Sequence, residues 1–189
     1  VAQLLEQRPD LRNKIHSIIA MGGCLNPQGP RGRQGNITPF AEFNFYMDAE
    51  AANCLLQSGI PLVLFPLDVT HQLVFTKARQ IMASEVLNSG LGEKIIRIIN
   101  AAHDLDSSHF NLEGGVFHDE CVVLYLLRPD LFQGQRMSLQ VNTDADCERY
   151  GQLTEATDPS ESNVLLIDTL VDSDKAFELI LEDLKKIEK

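Results

Sequence analysis

The sequence predicts an α/β protein in which a mostly parallel sheet is flanked by helices. Short apolar runs alternate with segments of helical spacing, and this order favours a parallel sheet covered by helices. The segment IPLVLFPLDVT (60–70) is a continuous apolar run, typical of a strand buried on both faces. Apolar residues make up 44% and charged residues 23% of the 189 residues, as in an ordinary globular domain with its own core. We therefore predict a single domain over 1–189.

In the first half of the chain, glycine, proline and capping residues mark where elements end. A helix ends near residue 8, and KIHSIIAMGG (14–23) predicts a buried strand that closes in a glycine turn. The segment 24–35 is rich in glycine and proline, which indicates a loop. Asp48 can cap a helix that stops at Ser58-Gly59, and the apolar strand follows that stop.

The second half of the chain continues the alternation of elements. In order, the predicted elements are a helix capped by Thr76 that runs through Leu87, a helix from about Leu91 to Ala102, a polar loop at 103–115, a helix that opens at Asp119 and ends before Pro129, strands at 137–143 and 164–168, and a final helix from about Asp172. The final helix carries one apolar stripe, which indicates an amphipathic helix.

Charge and cysteine content exclude several classes of partner. The net charge is −11, and the chain has no Lys/Arg cluster beyond Arg31 and Arg33, so we do not expect nucleic acid as a partner. No apolar run approaches the length of about 18 residues that a membrane span needs. The four cysteines lack CxxC spacing, which predicts free thiols in a reducing compartment and hence a cytoplasmic location. No signal-peptide pattern is present.

The segment GNITPFAEFNFYMDAEAA (35–52) places polar side chains among aromatic ones. In an extended segment, Glu42 and Asn44 would point the same way, about 6–7 Å apart, with Phe43 on the other side. A carboxylate beside an amide offers acceptors and donors suited to neighbouring hydroxyls, and Asn36 could return to the same place across the Thr-Pro turn. The alternative is that Asn36 caps a turn, Glu42 is exposed and Asn44 stabilises a loop.

The pair His118-Asp119 stands at a predicted helix start. Asp119 could bind a hard cation such as Ca²⁺, and His118 could donate a proton because the unperturbed pKa of histidine is near 6.5. The alternative is that Asp119 is the N-cap of the helix and His118 is a loop residue.

Other polar residues receive structural interpretations. We expect Asp68, at the end of the strand over 60–70, to bond backbone amides of the following turn. His71 has no partner at metal-ligand spacing, as is also true of His103 and His109, so a surface or loop position is predicted for each. The glycines of Met21-Gly22-Gly23 indicate a turn at which the backbone approaches another group closely.

Taken in order, four segments resemble the inosine-uridine-preferring nucleoside hydrolases. They are MGG (21–23), GNITPFAEFNFYMDAEAA (35–52), PLDVT (66–70) and VFHDECVV (116–123). The resemblance extends over nearly the whole chain, and its central string is specific. It implies an α/β fold with a bound Ca²⁺ and cleavage of the N-glycosidic bond of ribonucleosides to free base and ribose. It also raises the expectation of a homo-oligomer, and it leaves the preference for purine or pyrimidine bases open.

The resemblance implies a role for each matching residue. Asn36, Glu42 and Asn44 match positions that hold ribose hydroxyls, and Phe43 matches a position near the base. His118 matches the histidine near the leaving base, a candidate general acid. Asp119 matches a calcium-binding carboxylate that also meets the ribose hydroxyls.

Two departures from the family pattern limit what the resemblance implies. The family carries an N-terminal aspartate signature, D-T-D-x-G-x-D-D, which supplies most calcium ligands and the general base, and this string does not occur here. The chain opens at Val1 in a segment of helical spacing, so we expect it to correspond to the C-terminal portion of a family member. HDE at 118–120 replaces the usual HDP, and the loop at 24–35 looks longer than usual.

Three hypotheses follow for the 189 residues. The first is part of a nucleoside hydrolase that is inactive by itself because most calcium ligands are missing. The second is a non-catalytic ribose- or nucleoside-binding module. The third is a structural remnant that is stable only in association with another chain, because a sheet without its central strands exposes long edges.

Overall fold

The computed structural model describes residues 1–26, 35–101, 110–157 and 164–187. Its helices are α1 (Ala2–Gln7), α2 (Phe43–Met47), α3 (Ala49–Leu56), α4 (Leu67–Thr70), α5 (Lys77–Val86), α6 (Gly90–Ala101), α7 (His118–Leu127) and α8 (Ser173–Ile187). Two 3₁₀ helices lie at Pro9–Lys14 and Pro129–Leu131. The strands are β1 (Ile18–Met21), β2 (Leu62–Phe65), β3 (Val74–Thr76), β4 (Gly114–Val116), β5 (Phe132–Met137), β6 (Leu139–Val141), β7 (Leu153–Glu155) and β8 (Val164–Leu170).

The main sheet has the strand order β1-β2-β8-β5. The first three strands are parallel, with Ile18 opposite Leu62 and Leu62 opposite Val164, whereas β5 pairs with β8 in the antiparallel sense. The prediction of a mostly parallel sheet flanked by helices is therefore confirmed. Two small antiparallel pairs, β3 with β4 and β6 with β7, complete the pairing in the described part of the chain.

Side chains of β2 alternate between two apolar cores, one on each face of the sheet. Leu62 and Leu64 belong to one core, whereas Phe65 belongs to the other and Val63 packs against it. This alternation follows from the two-residue period of a strand. Complete burial of one such side chain stabilises the fold by about 1.5–3 kcal/mol, so the continuous apolar run is explained by burial on both faces.

Local capping signals place the helices that follow the strands. Asp48 accepts a hydrogen bond from the Ala51 N–H at 3.0 Å and begins α3, and Thr76 accepts one from the Arg79 N–H at 3.4 Å and begins α5. Helix α3 stops as predicted before Gly59, whose φ of +73° lies in the left-handed region that glycine adopts without strain. The predicted caps at 48 and 76 are confirmed.

Three expectations about elements are wrong in detail. The strand predicted over 60–70 covers only β2, because Pro66 has no N–H to continue the ladder and the chain turns into α4. The strand predicted at 137–143 is divided between the end of β5 and β6. Strands β3, β4 and β7 were not predicted. Among the described residues, no helix is both long and apolar enough to cross a membrane.

Candidate active site

The carboxyl ends of β1 and β2 meet at one edge of the parallel sheet. Beyond these ends, the Gly22 N–H donates to the Phe65 carbonyl oxygen at 3.1 Å, and the Leu67 N–H donates to the Gly23 carbonyl oxygen at 3.0 Å. The MGG and PLDVT segments are therefore side by side. In open α/β sheets, ligands bind outside the carboxyl ends of the strands, so this edge is the place to look for a site.

Glu42 lies beneath this edge, where its carboxylate joins α2 to the glycine turn. One oxygen, Oε2, accepts hydrogen bonds from the Gly23 N–H at 2.8 Å and the Phe45 N–H at 3.2 Å. The other, Oε1, accepts from the Asn44 N–H at 2.8 Å. Glu42 is only 2% exposed and is the N-cap of α2. The expectation of an extended segment at 42–44 is therefore wrong, and so is the alternative that Glu42 is exposed.

The conformation of Gly23 makes the contact with Glu42 possible. Its φ is +75°, in the left-handed region that favours glycine. A Cβ at this position would come within 3.0 Å of both Leu153 and Phe45. The glycine turn predicted from MGG thus brings a backbone N–H to within 2.8 Å of a buried carboxylate.

Burial raises the pKa of Glu42 above its usual value. The backbone N–H groups that donate to the carboxylate, and the charge of His118, act in the opposite direction but do not reverse the shift. Hydrogen bonds join the motifs around positions 42 and 118 through α4. Glu42 binds the Gly23 N–H, the Gly23 carbonyl oxygen accepts from the Leu67 N–H of α4, and Thr70 of α4 contacts His118.

Asn36 bonds the start of α2, whereas the side chain of Asn44 contacts the end of β1. The Asn36 Oδ1 accepts a hydrogen bond from the Phe43 N–H at 2.9 Å. The Asn44 Nδ2 lies 3.5 Å from the Met21 carbonyl oxygen and 3.3 Å from the Met21 Sδ. Asn44 and Phe43 are exposed. The helix begins at Phe43, so the extended geometry expected for 42–44 is wrong, although the side chains of Glu42 and Asn44 both reach the Met21–Gly23 turn.

His118 is the first residue of α7 and is held by a residue of α4. Its Nδ1 lies 2.8 Å from the Thr70 Oγ1, and its ring centroid lies 5.8 Å from that of His71. His71 is only 7% exposed and packs edge-on against Phe110 at 4.6 Å. The surface position predicted for His71 is therefore wrong, although His71 does lie in the turn that follows α4. Sequence reasoning missed Thr70, although it belongs to the PLDVT segment.

Asp119 is the second residue of α7 and is exposed. The N-cap is Phe117, which makes no side-chain capping bond, so the alternative of Asp119 as the N-cap is wrong. Its carboxylate stands at the positive end of the helix, where a negative charge is stabilised.

Asp68 has a structural role, but its partners differ from those expected. Its carboxylate accepts from the Leu25 N–H at 2.9 Å and the Asn26 N–H at 2.6 Å. These amides follow the MGG turn, whereas the expected partners belonged to the turn after Asp68.

Burial, followed by the charges of Asp68 and Glu42, raises the pKa of the Cys24 thiol, so this thiol stays protonated. His103 and His109 lie outside the described residues.

The described residues do not fit a calcium site by themselves. Within 1–26, 35–101, 110–157 and 164–187, no group of three or more His, Cys, Asp or Glu side chains is placed to hold a metal ion. Protein calcium sites use about six to eight oxygen ligands, and Asp119 supplies one carboxylate. We therefore derive no chemical step through a cation.

The fold defines the class of protein. The purine-preferring ribonucleoside hydrolase from Gardnerella vaginalis superposes with a TM-score of 0.81 at 23% identity, over 98% of this chain and 58% of that chain. The plant nucleoside hydrolase PpNRh1 superposes with a TM-score of 0.80 at 21% identity, over 97% of this chain and 58% of that one. The architecture is thus that of a nucleoside hydrolase.

Sequence comparison shows the particular family. The family model described as inosine-uridine preferring nucleoside hydrolase matches residues 1–178, and the chain belongs to this family. An uncharacterised protein of Schizosaccharomyces pombe is 32% identical over 189 residues, which are 99% of this chain and 58% of that protein. The pyrimidine-specific ribonucleoside hydrolase RihA of Salmonella typhimurium is 38% identical over 138 residues, 70% of this chain and 40% of that protein. The chain thus spans about 40–60% of the length of these relatives.

Proposed function

We propose that the chain supplies the ribose-binding and proton-donating part of a ribonucleoside hydrolase, which cleaves the N-glycosidic bond to free base and ribose. The observation that carries the proposal is the set of hydrogen bonds at the carboxyl edge of the parallel sheet, where Glu42 and Asn44 reach the Met21–Gly23 turn and α4, bonded to the same turn, holds His118. Family membership supports the same class of reaction.

The hydrogen bonds already made at this edge leave suitable groups for a sugar. A carboxylate accepts about four hydrogen bonds, and Glu42 uses three of them on backbone N–H groups. It therefore retains capacity for about one ribose hydroxyl. The amide group of Asn36 retains its two N–H donors after its oxygen bonds the Phe43 N–H. Asn44 adds an exposed amide beside them. This set of donors and acceptors is complementary to vicinal hydroxyls.

The remaining residues are proposed to act on the base and on the charge that develops during cleavage. In glycoside cleavage the sugar becomes oxocarbenium-like and the leaving group gains electrons. We propose that His118 gives a proton to the departing base and that the exposed ring of Phe43 packs against the base. Asp119 is proposed to meet the ribose and to contribute one carboxylate to a Ca²⁺ site that needs further oxygens.

The wider setting forms part of the same proposal. The substrate is a ribonucleoside of undetermined base, and the protein acts in nucleoside catabolism, including purine salvage, in the cytoplasm. We propose that it works as a homo-oligomer and without nucleic acid or membrane partners. Within it, 1–189 forms one domain, the C-terminal portion of the nucleoside hydrolase fold.

Calorimetry with ribose and with inosine on the purified chain tests the binding part of the proposal. We expect one molecule bound per chain and at least 10-fold weaker binding after Asn44→Ala. Asn88→Ala removes an exposed amide after α5 and serves as the matched control, which should bind as the original chain does. Equal binding by all three proteins would refute the assignment of Asn44.

A second candidate, a non-catalytic ribose- or nucleoside-binding module, is favoured by one observation. The part of the chain that the structure describes holds no group of metal-ligating side chains. A reducing-sugar assay with inosine and uridine, with and without Ca²⁺, tests the module. Ribose release that Asp119→Ala abolishes would exclude the module and overturn the expectation that the 189 residues are inactive by themselves, whereas nucleoside binding without release agrees with both candidates.

A further inference from the structure

Helix α4 presents a buried hydroxyl to the histidine of the proposed site. Thr70 is the last residue of α4 and is fully buried, and its Oγ1 lies 2.8 Å from the His118 Nδ1. The two residues are 48 positions apart in the chain. This short contact constrains the orientation of the half-buried imidazole ring, because leaving the buried Thr70 hydroxyl unpaired would be costly.

The position of the Thr70 hydroxyl is fixed from several sides. The Leu67 N–H donates to the Gly23 carbonyl oxygen at 3.0 Å, which anchors the start of α4 to the glycine turn. The Asp68 carboxylate anchors the next residue to the segment at 25–26. The Gln72 Nε2 donates to the carbonyl oxygens of Asp68 and Asp168 at 2.8 and 2.7 Å, which ties the end of the helix to β8. These bonds make α4 a rigid support.

The ring of His118 is also restricted by its neighbours. The His71 ring lies beside it at 5.8 Å with an interplanar angle of 58°, and Phe110 holds the other edge of His71. Rotating the His118 ring by half a turn about χ2 would take Nδ1 away from Thr70. Hydrogen bonding and ring packing therefore favour one orientation.

We propose that Thr70 is a positioning residue for His118, whose hydroxyl selects the orientation of the ring and the nitrogen that carries its proton. A threonine hydroxyl donates one hydrogen bond and accepts others. Thr70 is fully buried, and within the described residues its hydroxyl has no acceptor other than Nδ1, so in the neutral ring the hydroxyl donates to Nδ1 and the proton resides on Nε2. The nitrogen that serves a substrate is then Nε2, in the protonated form that a general acid needs. The transfer of that proton to the departing base rests on the proposed function, whereas the orientation of the ring does not.

The chain offers a matched set of substitutions. Thr70→Val keeps the branched shape and the approximate volume but removes the hydroxyl, whereas Thr70→Ser keeps the hydroxyl and removes a methyl group. Thr154→Val makes the same hydroxyl-to-methyl exchange in β7, in the strand pair formed with β6. If Thr70 acts by packing alone, Thr70→Ser should change the His118 tautomer ratio at least as much as Thr70→Val does. If Thr70 acts through its hydroxyl, only Thr70→Val should change the ratio.

Long-range ¹⁵N–¹H NMR of the imidazole groups tests the proposal on the 189-residue chain. Spectra are recorded near pH 8.5, and His118→Gln identifies the signals of His118. We expect the original chain, Thr70→Ser and Thr154→Val to show His118 predominantly with its proton on Nε2. In Thr70→Val we expect the minor tautomer to increase at least threefold.

Three results would overturn the proposal. One is an original chain with both His118 tautomers at similar populations, and this test stands even if Thr70→Val fails to fold. Another is a folded Thr70→Val chain with the original tautomer ratio. The third is a Thr70→Ser chain that behaves as Thr70→Val does. The NMR result is independent of ligand binding, so a chain that binds neither ribose nor inosine would count against the proposed function alone.

Discussion

Removal of the Glu42 carboxylate is expected to destabilise the fold far more than removal of an ordinary helix cap. In Glu42→Ala, the N–H groups of Gly23 and Phe45 lose their acceptor, and both bonds are buried. Each buried unsatisfied donor costs about 1–3 kcal/mol. The Asn44 N–H, which is partly accessible, can turn to water. We therefore expect the free energy of unfolding to fall by about 2–5 kcal/mol.

Urea denaturation followed by circular dichroism measures this loss. With a slope of about 2 kcal/mol per molar urea, the unfolding midpoint should fall by about 1–2.5 M. Asp48→Ala is the matched control, because Asp48 is an exposed N-cap whose carboxylate accepts one N–H, that of Ala51. Losing such a cap costs about 1 kcal/mol. Glu42→Gln keeps one acceptor oxygen, and its loss of stability should lie between those of Glu42→Ala and Asp48→Ala.

The result that would refute this reasoning is a small effect. If Glu42→Ala loses no more stability than Asp48→Ala, the three bonds to Glu42 do not support the fold. The comparison depends only on the folded chain and its N–H groups. It therefore holds whether or not the chain hydrolyses nucleosides.

Two further predictions concern ionisation and association. Because burial raises the pKa of Glu42 in the folded chain, the folded state binds a proton more tightly than the unfolded state does. The stability that this proton contributes is present below the unfolded pKa of about 4.3 and is lost as the pH rises through the raised folded value, so Glu42→Gln should flatten this decline in urea titrations. An unchanged slope would contradict the shift. Light scattering should show self-association of the chain, because β1 is a sheet edge in the described residues and Leu126 and Leu127 of α7 are 65% and 59% exposed. Leu126→Glu combined with Leu127→Glu should reduce it, and a monodisperse monomer of the original chain would count against it.

The fold could be predicted from the sequence wherever its signals are local. The apolar run around β2, the cap at Asp48 and the cap at Thr76 each act within a few residues, so periodicity and capping rules detect them. Strands β3 and β4 have three residues each, and their pairing joins Thr76 to Gly114 across 38 positions. Strands this short carry no measurable period, and the glycines of β4 are typical of loops.

The motifs of the site could be predicted, whereas its geometry could not. Helix α2 has five residues rich in aromatic side chains, and glutamate is not among the preferred N-caps, so an extended segment was the natural expectation. Glu42 caps this helix only because the Gly23 N–H, 19 residues earlier, helps to hold its carboxylate. The contact between Thr70 and His118 is equally non-local. Such contacts come from the packing of the sheet and leave no pattern in the neighbouring sequence.

Ribose binding and stability can be tested separately at Asn44 but not at Glu42, because Glu42 also supports the fold. A shorter Ser or Asp cap would satisfy the start of α2, but only a longer side chain also reaches the glycine turn at the end of β1. The Glu42 carboxylate thus supports the carboxyl edge of the sheet and is also a proposed ribose-binding group. A substitution at Glu42 is therefore expected to change both stability and binding. The Asn44 side chain is exposed and contacts Met21 weakly, at 3.5 Å from the carbonyl oxygen and 3.3 Å from Sδ, and surface substitutions usually change stability by less than about 0.5 kcal/mol. Asn44→Ala should therefore weaken ribose binding with an unchanged urea midpoint, and a midpoint that falls together with the affinity would assign Asn44 to the fold.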